Sequence, residues 1–139
     1  MSVEWRLEQL GKIITGKNPS GDIDNAYSDY GVPFITPRDM NGQKWVLKTE
    51  RSLTEVGLDS VKRVLIPTGS VAVSCIGSDM GKVVLTSTES VTNQQINTII
   101  PDKSVCNPGY LYYVLSTMQQ ELKDIAGGSA TPILNKSHF

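Results

Sequence analysis

The sequence predicts an α/β chain of the α+β kind: a curled sheet of short strands with tight connections and a few helices packed on it. Three observations predict this. From Val61 onward the runs VKRVLIP, SVAVSCI, KVVLT and QQINTIIP are short and β-branched, punctuated by Pro67, Gly69, Gly77, Gly81 and Pro101. One stretch then switches to helical spacing, with Leu111, Val114, Leu115, Met118, Leu122 and Ile125 on a single stripe. The chain has 139 residues and no internal repeat, so it reads as one domain (1–139) able to bury a core without staples.

Taken in order, Trp5-Arg6-Leu7 reads as a short strand or entry segment. Leu7, Leu10, Ile13 and Ile14 recur at helical spacing, with Gly16 placed to end the turn. GKNPSGDIDNAYSDYG, residues 16–31, is a surface loop of a length that usually carries function or disorder. Val32 to Thr36 is a short strand stopped by Pro37, and a short helix is expected around Leu53 to Leu58. In the last strand Ile96, Thr98 and Ile100 share one face, and Gln95, Asn97 and Ile99 the other. The long helix takes Asn107 as cap, Pro108 in its first position and Gly127-Gly128 as its stop. A loop and an extended segment follow, and the chain ends without a turn or cap, as expected of a domain cut from a longer protein.

Composition narrows the functions. Hydrophobic residues make up 39% and charged residues 19%, and no apolar run approaches the ~20 residues that span a bilayer. The charged N-terminus, MSVEWRLEQL, is unlike a secretory signal, so the expected location is the cytoplasm. Cys75 and Cys106, without a CxxC partner, read as thiols in a reducing compartment. The formal net charge of −1 excludes a free-standing binder driven by charge alone, since cations on phosphates supply most non-specific DNA affinity.

Catalytic sets are missing. His138 is the only histidine, so neither a histidine-dependent triad nor a multi-histidine metal site can be assembled. Asp22, Asp24 and Asn25 lack the glycine and closing glutamate of a calcium loop. The turn Gly77-Ser78-Asp79-Met80-Gly81-Lys82 superficially resembles a phosphate-binding loop. However, three residues separate its glycines, Val83 follows the lysine, and a β run follows where a helix N-terminus is needed. It reads as a hairpin-like turn whose glycines take unusual dihedrals, or as a tight turn presenting Ser78, Asp79 and Lys82 to a partner. The chain is read as non-enzymatic, with no cofactor of its own.

What remains is a set of polar side chains on loops. Lys17, Asn18 and Ser20 lie in the first loop, and Thr36, Arg38 and Asp39 follow the short strand. Asn93 and Gln94 open the last strand, and Ser129, Thr131, Asn135 and Lys136 occupy the segment after the helix. Arg, Lys, Asn and Gln have the geometry to read base edges, and Ser or Thr suit phosphate oxygens. Taken singly, each is better explained by capping, turning or facing water.

The ordered set nevertheless resembles a known family. Trp5-Arg6-Leu7 with Leu10-Gly11, the Gly16-Lys17-Asn18-Pro19-Ser20 loop, Val32-Pro33-Phe34-Ile35 with Arg38-Asp39, and Ile66-Pro67-Thr68-Gly69-Ser70 come first. The Gly77-to-Lys82 turn, Asn93-Gln94, the Tyr110-Leu111-Tyr112 helix and the segment from Gly128 to Lys136 complete it. Together they resemble a target recognition domain of the specificity subunit of type I restriction-modification enzymes. The resemblance implies a mostly antiparallel curled sheet that reads one half of a split double-stranded DNA target. It implies methylation subunits using S-adenosylmethionine and a restriction and motor subunit using ATP and magnesium as partners, and a chain ending before the family's spacer helix. It also accounts for the weak charge, because clamping by methylation subunits leaves this domain only the task of discrimination. Arg38 is then the expected base reader, Asp39 orients it or accepts from cytosine, and Lys82 touches phosphate. The alternatives are a protein-interaction module of the same fold, with no DNA contact, and a small carbohydrate- or nucleotide-binding enzyme domain.

Overall fold

The computed structural model describes residues 9–77 and 80–126. Its strands form two sheets. The first contains β1 (Gly11–Thr15), β9 (Ile96–Pro101), β6 (Val71–Ser74), β7 (Val83–Thr86) and β4 (Trp45–Val46), in that spatial order. The second contains β2 (Tyr27–Ser28), β5 (Arg51–Leu53), β3 (Val32–Ile35) and β8 (Val91–Thr92). Pairing is antiparallel except for β4 with β7 and β3 with β8, so the α/β class and the mostly antiparallel pairing that the resemblance implies are observed, while the one curled sheet expected is divided into two.

The alternation of a strand's side chains sorts the core into layers. On one face of the first sheet, Val71, Val73, Val83, Leu85 and Ile99 pack with Leu111, Leu115 and Leu122 of the helices. Ala72, Val84 and Ile96 point the other way, against Ile35, Met40 and Val46. Ile96 and Ile99 thus fall on opposite faces, as the sequence alternation predicts. Both faces of β6 and β7 are covered, which is why these strands read as unbroken apolar runs. Phe34, Leu53, Val61 and Val91 form a third cluster on the second sheet.

The helix after Asn107 divides in two: α2 (Pro108–Ser116) and α3 (Gln119–Ala126). Its start is as expected, the Asn107 side chain accepting from the Tyr110 N–H at 3.0 Å. At the break, the Ser116 and Thr117 hydroxyls donate to the carbonyls of Tyr113 and Val114, both at 2.7 Å. Such side-chain bonds compete with helix continuation. The short helix α1 (Glu55–Ser60) sits two residues later than expected, capped by Thr54, whose hydroxyl accepts from the Gly57 N–H at 3.1 Å.

Two further expectations fail. Leu10 to Ile14 is not a helix: residues 11–15 form β1, in register with β9 from Gly11↔Pro101 to Thr15↔Asn97. A pattern of four apolar residues fits either period, and pairing with a central strand decides it. VKRVLIP is not a strand. Lys62–Val64 is a 3-10 turn, and only Ile66 makes a bridge, to Ser90. The Trp5-Arg6-Leu7 segment and the loop after α3 lie outside the described residues.

Candidate nucleic-acid interface

Register places four separate loops at one end of the two sheets. β1 and β6 run toward that end, while β9 and β7 begin there: Thr15 stands opposite Asn97, Ser74 opposite Ile96 and Val73 opposite Val83. In the second sheet β3 and β8 are parallel and finish side by side, Ile35 next to Thr92. Main-chain bonds tie the two ends together. The Gly16 N–H donates to the Ile96 carbonyl at 3.1 Å, Lys17 to Thr92 at 3.0 Å and Asn93 to Ile35 at 3.0 Å. Lys17, Thr36, Arg38, Asn93 and Gln94 therefore issue from neighbouring points on one rim, although up to 77 residues separate them in the chain (94 − 17).

A polar ladder fixes this rim from beneath. The Thr15 hydroxyl donates to Asn97 Oδ1 at 2.6 Å, and Asn97 Nδ2 meets Cys75 Sγ at 3.4 Å, linking the ends of β1, β9 and β6. Burial pushes the Cys75 thiol up to about 12, against the opposing effect of Asn97, so it stays neutral and packs. β6 and β7 are antiparallel neighbours, and on the chain between them Gly77 has φ +92° and Gly81 φ +88°. Ser74 N–H donates to the Lys82 carbonyl at 2.9 Å, and Lys82 N–H to Ser74 Oγ at 3.0 Å, so half-buried Lys82 joins the same end.

The rim holds a cleft of about 420 Å³ lined by Phe34, Thr36, Pro37, Arg38, Asp39, Glu50, Arg51, Asn93 and Gln95. Arg38 is exposed on a 3-10 turn spanning Pro37–Asp39. Asp39, by contrast, is buried, and its carboxylate serves its own neighbourhood. Oδ2 accepts from the Thr36 N–H at 2.9 Å and the Thr36 hydroxyl at 3.3 Å, while Oδ1 accepts from the Glu50 N–H at 2.9 Å. The expectation that Asp39 accepts from cytosine or orients the Arg38 side chain is corrected accordingly: its bonds position the backbone of both loops. Asn93 is half-buried in a local turn, accepting from the Gln95 N–H at 3.0 Å, whereas Gln94 is exposed.

Asn18 and Ser20 line a second hollow, of about 540 Å³, beside Tyr27. The Ser20 hydroxyl donates to the Asp22 carboxylate. Ser78, Ser129, Thr131, Asn135 and Lys136 lie outside the described residues. Sequence reasoning missed Arg51 and Gln95. Arg51 carries no local signal; it joins the cleft because β5 pairs with both β2 and β3. Among the described residues no group of three or more His, Cys, Asp or Glu side chains could hold a metal ion, and no helix is long and apolar enough to cross a membrane.

A family model described as a type I restriction modification DNA specificity domain matches residues 2–139. The chain belongs to that family. Over 135 residues the specificity domain is 44% identical to the specificity subunit of the type I restriction enzyme HindI from Haemophilus influenzae, covering 96% of this chain and 29% of that protein. It is 31% identical over 136 residues to the MjaIX specificity subunit of Methanocaldococcus jannaschii, covering 95% of this chain and 31% of the relative. The chain thus spans about a third of these relatives' length. Among solved structures, the HsdS subunit from Thermoanaerobacter tengcongensis matches 89% of this chain and 30% of its own, with a TM-score of 0.67 at 18% identity. A chain from a type I R-M assembly matches 99% of this chain and 33% of its own, with a TM-score of 0.72 at 18% identity. Both share the fold.

Proposed function

We propose that this domain reads one half of a bipartite double-stranded DNA target for a type I restriction-modification complex, with catalysis residing in other subunits. The observation that carries this reading is the gathering of Lys17, Thr36, Arg38, Asn93, Gln94 and Lys82 at one end of the two sheets. A rim assembled from several loops can lie along a groove, with exposed Arg38 and Gln94 facing base edges and Lys17 the backbone. The formal charge of −1 fits a division of labour in which methylation subunits clamp the duplex and supply most phosphate contacts. S-adenosylmethionine would serve those subunits, ATP and magnesium a restriction and motor subunit, and the assembly would work on double-stranded DNA in the cytoplasm.

Arg38→Ala tests the reading in the full-length specificity subunit assembled with its methylation subunits. Losing a bidentate base contact costs about 1–3 kcal/mol of discrimination, roughly a 5- to 150-fold loss of preference at one half-site. Sequencing of methylated sites should show that half relaxed or abolished. Unchanged methylation specificity and affinity contradict the role.

A further inference from the structure

The cleft contains a second arginine, held differently from Arg38. Arg51 opens β5, and its Cζ lies 3.9 Å from the centroid of the Tyr27 ring and 5.5 Å from that of Phe34. The register explains the stack. Phe34 stands directly opposite Arg51, while Tyr27 stands opposite Leu53, two residues along the same face of β5. The two rings meet edge to face at 5.5 Å, and Phe34 is fully buried, so the platform beneath the guanidinium is fixed. Upstream, the Glu50 N–H is bonded to Asp39 and the Arg51 carbonyl accepts from the Thr49 hydroxyl at 2.7 Å. Arg51 is nevertheless exposed, and it lines the cleft with Arg38, Asn93 and Gln95.

A guanidinium stacked on an aromatic face keeps its N–H edge free for an in-plane partner, and the stack removes rotamer freedom before binding. A strand paired on both edges also holds a reading group more accurately than a three-residue turn does. Glu50 lines the same cleft and lowers its net charge, which favours discrimination over plain phosphate attraction. We propose that Arg51, held over the Tyr27 ring, reads a guanine through the major-groove edge of the half-site alongside Arg38. The inference rests on the rim being the DNA-reading surface. It adds that the target half contains a guanine contacted at O6 and N7, the acceptor pair that matches a planar fork.

The test uses the full-length specificity subunit with its methylation subunits and the half-site found by sequencing methylated DNA. Each guanine in that half is replaced in turn by 7-deazaguanine, which lacks the N7 acceptor. Wild-type complex should lose about 5- to 150-fold in affinity at one guanine. Arg51→Lys, which keeps the charge but not the fork, should show the same loss on the normal duplex and no further loss on the substituted one. Arg51→Met keeps the stem over the rings, so its melting temperature should match wild type while base preference at that position disappears. Insensitivity of wild type to every substitution overturns the proposal, as do additive losses for Arg51→Lys at every guanine. So does an Arg51→Met variant that melts early yet keeps the methylated motif, which makes Arg51 a cover for the rings. If wild-type complex fails to distinguish the mapped site from random duplex, the reading of the whole rim fails, an outcome recognisable before any Arg51 variant is made.

Discussion

Gly16→Ala is expected to destabilise the fold by about 3 kcal/mol and to pull the rim apart. A Cβ built at Gly16 falls 2.1 Å from Thr92 Oγ1, 2.2 Å from the Asn93 carbonyl oxygen and 2.3 Å from the Thr92 carbonyl oxygen. Two of these atoms are backbone, so no side-chain rotation relieves the clash. The chain leaving β1 must shift, straining the Gly16–Ile96 and Lys17–Thr92 main-chain bonds, and overpacking of this kind costs about 1–3 kcal/mol before any lost bonds are added. Gly21→Ala is the control: nothing lies within 4 Å of its Cβ, and the change should stay within about 0.5 kcal/mol of wild type. A urea titration checks both through the shift in midpoint at unchanged slope. Equal stability of the two variants would mean that the two sheet ends are not joined at Gly16.

Asp39→Ala should cost about 2–4 kcal/mol and should impair DNA discrimination more than either arginine variant alone. Its carboxylate accepts three hydrogen bonds in a buried setting, and each bond to a charged group contributes about 1.5–3 kcal/mol, partly offset by the cost of burying the charge. Removing it leaves the Thr36 and Glu50 N–H groups without that acceptor, freeing the turn that carries Arg38 and the strand entry that carries Arg51. Asp39→Asn keeps the volume but presents an amide N–H₂ to one of those donors, so an intermediate loss is expected. The measurement is the denaturation midpoint alongside the preference for the methylated site over random duplex. Full stability in Asp39→Ala contradicts the structural role assigned to the carboxylate.

The contrast between Asp39 and Arg51 shows where the sequence was informative. Asn107 followed by Pro108 is a local signal, as are the β-branched runs of β6, β7 and β9, and these elements form where the sequence places them. Strands β2, β4, β5 and β8 are two or three residues long and form because a neighbouring strand supplies partners, which no window along the chain reveals. β1 reads as helical in the sequence because Ile13 and Ile14 suit a helix as well as a strand edge until Ile99 and Thr98 stand opposite them. At the site, an Arg-Asp pair after a strand reads as two presented side chains. Burial separates them, turning Asp39 inward while Arg38 stays exposed. Arg51 was invisible because its platform, Tyr27 and Phe34, is assembled from two other strands. The ordering of motifs still identified the family, because their order along the chain does not depend on knowing which side chains turn inward.

Site-specific photocrosslinking tests the central claim most directly. A benzoylphenylalanine replaces Lys17 or Gln94 on the rim, or Thr88 or Lys103, exposed residues that follow the far ends of β7 and β9. In the full-length specificity subunit assembled with its methylation subunits and bound to its mapped target, the two rim positions should crosslink to the duplex and the two far positions should not. Crosslinks from Thr88 and Lys103 with none from Lys17 and Gln94 would place the DNA at the other end of the sheets and contradict the account.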